Sequence, residues 1–247
     1  MKTVISKAIK AYCTTRGIKN WTPRAALIDM DGVLYDSMPG HAKAWKRMMD
    51  EAGIECCEEE FFLYEGMTGR ATIEMLSRER LGKELDSDTI NRLYTLKSEY
   101  FKQQGPRKPM PGADRMIEIL KANGLTRVLV TGSAQQSLLE CLAHDYPDAF
   151  HRDMRVTALD VVHGKPHPEP YLRGQKIAGV DASQAIVIEN APLGVKAGHA
   201  SGSFTIGITT GPVPASALKE AGADIVFANM TTFADAIQEL LNHRFYD

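Results

Sequence analysis

The sequence predicts an α/β fold: a mainly parallel sheet with helices on both faces and a small all-helical segment inserted after the first core strand. Three observations carry this expectation. Short apolar runs stop abruptly at polar clusters, as buried parallel strands do at their carboxyl ends. Strand patterns alternate with helical ones over most of the chain. One stretch, from about His41 to Gln104, holds helix after helix and no convincing strand.

Taken in order, the chain opens with Ile5, Ala8, Ile9 and Tyr12 at helical spacing, an amphipathic helix able to dock on the domain. Lys2, Lys7, Lys10, Arg16, Lys19 and Arg24 precede the first acidic residue, Asp29, so the segment also has the superficial look of an organellar transit peptide. Ala25-Ala26-Leu27-Ile28 then reads as a buried strand ending at Asp29-Met30-Asp31-Gly32. Arg127 to Val130 repeats the pattern and ends in Thr131-Gly132-Ser133, and Ala185 to Ile188 repeats it again and ends in Glu189-Asn190. Helical patterns cover Ala113 to Ala122, Gln135 to Ala143, Glu169 to Ala178 and Gly194 to Ala200. Shorter strands fit Arg155 to Ala158, Phe204 to Ile208 and Asp224 to Phe227, and a last helix runs from about Phe233 to Leu241. Ligands of such sheets bind beyond the carboxyl ends of the strands, where the three polar clusters would converge.

In the insertion, Ala44, Met48 and Met49, then Ile73, Leu76 and Leu81, then Ile90, Leu93, Leu96 and Tyr100 recur at spacings of three and four. Turn formers bound it: Ser37-Met38-Pro39-Gly40 on one side, Gln104-Gly105-Pro106 through Pro111-Gly112 on the other. The expected division is an amino-terminal extension over 1–20, a core over 21–37 and 111–247, and a helical cap over 38–110 placed to act as a lid.

The 247 residues are 44% hydrophobic and 24% charged, an ordinary globular mixture that argues against disorder and disulfide scaffolds. Lys and Arg number 29 against 31 Asp and Glu, a formal charge of -2 without the basic footprint of a nucleic-acid binder. Cys13, Cys56, Cys57 and Cys141 form no CxxC pair, and no apolar run nears the ~20 residues of a membrane span, so a reduced, cytoplasmic protein is expected. A small-molecule partner follows, with no nucleic acid and no membrane; the chain is expected to be a monomer or a weak homo-oligomer.

The polar clusters carry the chemistry. Asp29 and Asp31 could serve one site, Asp29 as a carboxylate nucleophile toward phosphorus and Asp31 as proton donor and acceptor; the same pair also suits a capped turn. Such a site must import positive charge, and magnesium, which takes oxygen ligands and keeps waters and phosphate oxygens, is the natural choice. Glu189 and Asn190 end a strand at the level needed to complete its shell, although Asn190 could equally cap the next helix. Thr131, Gly132 and Ser133 offer hydroxyls and backbone N–H groups to an anion, or simply start a helix. Lys165, in Gly-Lys-Pro-His-Pro-Glu-Pro-Tyr, is a cation on a backbone stiffened by prolines.

Together these pieces resemble the haloacid dehalogenase superfamily over Ala25 to about Gly222, with Asp29 to Asp36, Thr131, Lys165 and Glu189-Asn190 as its four signatures in sequence. The resemblance implies a Rossmann-like core, an aspartyl-phosphate on Asp29, acid–base work by Asp31, phosphoryl contacts from Thr131 and Lys165, and Mg²⁺. The ion would be held by the Asp29 side chain, the Asp31 main-chain carbonyl, Glu189 and Asn190. Ser37 to Trp45 is similar to the β-phosphoglucomutase and sugar-phosphate phosphatase subgroup, which implies substrate contacts from His41 and Trp45; His41 as an exposed helix residue and Trp45 as a core aromatic are the plainer alternatives. Glu65-Gly66-Met67-Thr68-Gly69-Arg70 looks like that group's substrate-selecting loop, with Gly66 lining the site and Arg70 placed to bind a second phosphate.

The chain departs from the pattern at Asn190, where aspartate is usual; the amide brings no charge, so weaker magnesium binding is expected. The mutases also carry Lys and Asn after the second motif and Lys before the loop glycine, where this chain has Ala134, Gln135 and Glu65. Losing those cations weakens the grip on a bisphosphate. Hydrolysis of a small phosphorylated metabolite, a sugar phosphate or phosphoglycolate type, therefore ranks above β-phosphoglucomutase isomerisation, and a non-catalytic binding protein ranks below both.

Overall fold

The computed structural model describes residues 1–105, 107–133, 136–151, 153–243 and 245–246, excluding the side chains of 136–140 and 245–246. Its elements are α1 (Lys2–Arg16), β1 (Asn20–Trp21), β2 (Ala25–Ile28), α2 (Met38–Glu51), α3 (Glu60–Leu63), α4 (Gly69–Leu81), α5 (Ser87–Lys102), α6 (Ala113–Ala122) and β3 (Thr126–Val130). There follow α7 (Gln136–Asp145), β4 (Arg155–Val156), α8 (Glu169–Ala178), a 3₁₀ turn (Ala182–Gln184), β5 (Ala185–Glu189), α9 (Pro192–Ala200) and β6 (Phe204–Ile208). The chain closes with α10 (Ala215–Glu220), β7 (Ile225–Phe227), α11 (Met230–Asn242) and β8 (Phe245–Tyr246).

Six strands form a parallel sheet in the order β4-β3-β2-β5-β6-β7. The predicted α/β class is thus observed, and β2 sits at the centre, pairing with β3 on one edge and β5 on the other. Every residue of β2 is buried, because alternate side chains enter opposite layers. Ala26 and Ile28 join Leu129, Ile186 and Ile188 under α1, α6 and α11, while Leu27 joins Val128, Val130, Val187 and Tyr171 of α8. Truncating Leu27 to alanine would cost about 2–5 kcal/mol.

Local chemistry sets the helix ends. Thr68, Asp86 and Asn229 accept backbone N–H bonds at the starts of α4, α5 and α11, and Gly17, Gly82 and Gly179 end α1, α4 and α8 in the left-handed conformation. The predicted strands and helices recur within a few residues. The sequence reading missed α10 and the antiparallel pair β1–β8, which are too short to show a period. No described helix is long and apolar enough to cross a membrane.

The chain leaves and re-enters the sheet region side by side. Asp36 N–H donates to the Lys108 carbonyl and Met110 N–H to that of Leu34, at 2.9 and 2.8 Å, so both connections to helices α2–α5 pass next to the end of β2.

Candidate active site

The carboxyl ends of β2, β3 and β5 bring the three polar clusters together, as expected. The Asp29 N–H still donates to the Ile188 carbonyl, so Asp29 is held by the sheet while its side chain faces the site. Gly32, with φ at 75°, turns the chain back immediately; a Cβ there would lie 2.0 Å from the Asn190 Nδ2.

Lys165 Nζ lies 2.5 Å from Asp29 Oδ1, 2.6 Å from Glu189 Oε1 and 3.1 Å from the Val130 carbonyl. The loop residue singled out for its prolines is therefore 3% exposed and bridges the ends of two strands. Glu189 has no oxygen to spare. Oε1 also accepts the Tyr171 hydroxyl at 2.7 Å, and Oε2 accepts the N–H groups of Asn190 and Ala191 at 2.9 and 3.1 Å. This differs from the metal-ligand role expected for Glu189: in this arrangement it anchors Lys165.

Asp31 faces the same cavity from the other side. Its Oδ1 accepts Ser37 Oγ at 2.5 Å and meets His41 Nε2 at 3.1 Å. His41 is buried, stacked on Phe101 at a centroid distance of 3.6 Å, and its Nδ1 lies 2.7 Å from Lys97 Nζ. Burial opposes the charged form of Asp31, but His41, Ser37 and Lys97 outweigh it and hold the carboxyl down at about 2. Burial, then the Lys97 charge, brings His41 down to about 4, and burial brings Lys97 down to about 7.

Thr131, Gly132 and Ser133 line the cavity with Asp29 and Asp31. The Ser133 N–H expected to meet an anion instead donates to Thr131 Oγ1 at 3.1 Å. From the inserted helices come His41, Trp45, Tyr94 and Lys97, and from the loop before α4 come Glu65, Gly66 and Met67. Trp45 lies flat against Phe61 at 5.8 Å, so it both fills the inserted core and lines the cavity. Gly66 backs onto the Lys165 side chain.

Arg70 is a correction. Its guanidinium pairs with Glu74 and Asn91, each at 3.2 Å, on the outer face of α4 and does not line the cavity. The one-residue step from Gly69 into the helix turns it outward, a direction that spacing alone did not reveal. Ala134 and Gln135 lie outside the described residues.

Glu65 was read only as a missing lysine, yet its carboxylate is buried in the site, where Oε1 accepts Asn190 Nδ2 at 2.9 Å. That bond fixes the amide, and Asn190 Oδ1 is buried without a hydrogen-bond donor. Burial pushes Glu65 and Asp29 well above the ordinary carboxylate range; Lys165 pulls Asp29 back, and the neighbouring carboxylates raise both. Four carboxylates, those of Asp29, Asp31, Glu65 and Glu189, thus face two ammonium groups, a surplus of negative charge that a cation would relieve. No group of three or more His, Cys, Asp or Glu side chains among the described residues forms a metal cluster by itself. An ion taking carboxylate, amide and main-chain oxygens needs none. Lys97 was also missed. It follows Ile90 and Leu93 on the apolar stripe of α5, and a lysine at a stripe position was the signal available.

The sequence model of haloacid dehalogenase-like hydrolases matches residues 23–202. Glycerol-1-phosphate phosphohydrolase 2 of Saccharomyces cerevisiae is 30% identical over 217 residues, 83% of this chain and 82% of that protein. Hexitol phosphatase A of Escherichia coli is 28% identical over 182 residues, 74% and 81% of the two chains. A solved structure from Bacteroides vulgatus, provisionally named a beta-phosphoglucomutase, is 40% identical and superposes with a TM-score of 0.94 over 98% of this chain and all of that one.

Proposed function

This chain belongs to the haloacid dehalogenase-like hydrolases, and we propose that within them it hydrolyses a small phosphate monoester, with Mg²⁺, through a phospho-enzyme on Asp29. The coarser statement needs no proposal: it is an enzyme of the phosphatase or phosphoglucomutase-like kind. One observation carries the finer reading. An ammonium group lies 2.5 Å from the carboxylate at the end of the central strand, and a second, separately held carboxylate shares its cavity.

In the first step an Asp29 oxygen bonds to phosphorus as the ester bond breaks, and the leaving oxygen takes a proton from Asp31. In the second, water attacks the phosphoryl group, its proton passes to Asp31, and the bond to Asp29 breaks to release phosphate. Ser37 and His41 hold Asp31 as a carboxylate, the form required for the second step; the first requires it to be loaded with a proton beforehand. Lys165 and the Thr131 hydroxyl are positioned to meet charge developing on the phosphoryl oxygens. The inserted helices, acting as a cap, exclude bulk water while the site is closed.

The donor set fits a hard divalent ion. Asp29, the Asp31 main-chain carbonyl and the undonated Asn190 Oδ1 would hold it, with Glu65 supplying beside Asn190 the charge the amide lacks. When bound, the ion would offset the charge of the phosphoryl group and the surrounding carboxylates.

Hydrolysis is favoured over the mutase because Glu65 puts a carboxylate where the mutase pattern has a lysine, and it would repel the second phosphate of a bisphosphate intermediate. The mutase reading has its own support in the 40% identical structure. The test is a panel of phosphorylated metabolites and an aryl phosphate assayed for free phosphate with magnesium, with β-glucose 1-phosphate followed separately for conversion to glucose 6-phosphate. Phosphate release without isomerisation is expected; isomerisation without release would overturn the hydrolase reading.

A further inference from the structure

We propose that Tyr171 is a positioning residue for phosphoryl transfer: its buried hydroxyl fixes Glu189 and, through Glu189, holds the Lys165 ammonium within reach of Asp29. The inference rests on the roles given above to Asp29 and Lys165.

An ammonium has three hydrogens to donate, and Lys165 has three acceptors, Asp29 Oδ1, Glu189 Oε1 and the Val130 carbonyl. Two of these are carboxylates competing for one cation. An unshared carboxylate in so dry a place would draw the ammonium onto itself and away from Asp29. Glu189 is not unshared. The Tyr171 hydroxyl donates to the same Oε1 at 2.7 Å, and two backbone N–H groups occupy Oε2. The carboxylate is also enclosed, since a Cβ on Gly194 would fall 1.8 Å from Oε1. Tyr171 contributes a second restraint, because Nζ of Lys165 lies 5.2 Å from the centre of its ring.

A buried tyrosine needs some partner for its hydroxyl, and many core tyrosines find a backbone carbonyl. This one instead meets the carboxylate that grips Lys165. Burial and the adjacent carboxylates push its hydroxyl well above the ordinary tyrosine range, so it stays a donor. Once Asp29 carries the phosphoryl group, the hydrogen of Lys165 aimed at Asp29 can turn to a phosphoryl oxygen, while Glu189 and Val130 keep hold of the other two.

The test is a double-mutant cycle of Tyr171→Phe and Glu189→Gln, read as kcat and KM on an aryl phosphate with magnesium, with Lys165→Met as a control. If Tyr171 acts through Glu189, the two losses couple. Tyr171→Phe alone should lower kcat about tenfold with KM within about twofold and the melting temperature down by about 3–12 °C, as losing a buried hydrogen bond to a carboxylate does, and in the Glu189→Gln background it should change kcat less than about twofold. An unchanged kcat, an equal loss in both backgrounds, or a Tyr171→Phe protein that no longer folds would overturn the positioning role while Lys165→Met is inactive. Full activity in Lys165→Met would overturn the underlying reading and this inference with it.

Discussion

Asn190→Asp exchanges the donor that meets Glu65 for a second carboxylate oxygen 2.9 Å from it. Losing a hydrogen bond to a charged acceptor costs about 1.5–3 kcal/mol. Two full charges so close would repel by about 6 kcal/mol even at an effective dielectric near 20. Glu65, already raised by burial, will instead hold a proton and donate it to the new carboxylate, and the new charge buried beside Asp29 and Glu189 then keeps the net loss at about 3 kcal/mol in the absence of metal. For a chain of this length each kcal/mol moves Tm by about 2–4 °C, so Tm in EDTA should fall by about 6–12 °C. Magnesium should close most of that gap and half-saturate the variant at a lower concentration than the wild type, because position 190 then brings charge. Adding Glu65→Gln to Asn190→Asp restores a donor and should recover most of the loss in EDTA. Thermal unfolding of the three proteins across a magnesium series decides the matter. An unchanged Tm in EDTA and no rescue by Glu65→Gln would refute the reasoning.

Two further outcomes follow from the site. Lys97, brought down by burial from 10.5 to about 7, binds a proton in the unfolded chain that it sheds in the folded one between those values, so folding stability gains as pH rises from about 7 toward 10.5. The ceiling is about 5 kcal/mol at 1.36 kcal/mol per pH unit; denaturant unfolding of wild type and Lys97→Met from neutral to alkaline pH should show the wild type gaining on the variant, and parallel curves would contradict it. Arg70→Ala should change kcat/KM less than about twofold, since exposed ion pairs contribute about 0–1 kcal/mol and this one faces away from the cavity; a selective rise in KM for bisphosphorylated compounds would restore Arg70 to the site.

The sheet was legible because parallel strands buried on both faces leave unbroken apolar runs, as at Ala25 to Ile28 and Ala185 to Ile188. The ends of those runs located Asp29, Thr131 and Glu189 for the same reason. What sequence could not supply was direction. Glu65 lies in the loop before α4 and Arg70, five residues on, in its first turn, and only the entry angle of α4 sends Arg70 outward while Glu65 points inward. Nor could motif spacing show that Glu189 spends both oxygens on Lys165, Tyr171 and the backbone, because those partners come from the loop before α8, from α8 itself and from the turn after β5. Lys97 lies 66 residues from Asp31, a separation that only the packing of α2 against α5 closes.

The central claim is that phosphate passes through Asp29. A single turnover in ¹⁸O-water, quenched in acid and followed by peptide mass spectrometry, tests it directly. The account predicts a phosphoryl group transiently on the peptide containing Asp29, absent in Asp29→Asn, with one solvent oxygen in the released phosphate and none in the Asp29 carboxylate, because water opens the bond at phosphorus. The absence of any phosphopeptide, with Asp29→Asn fully active, would contradict it.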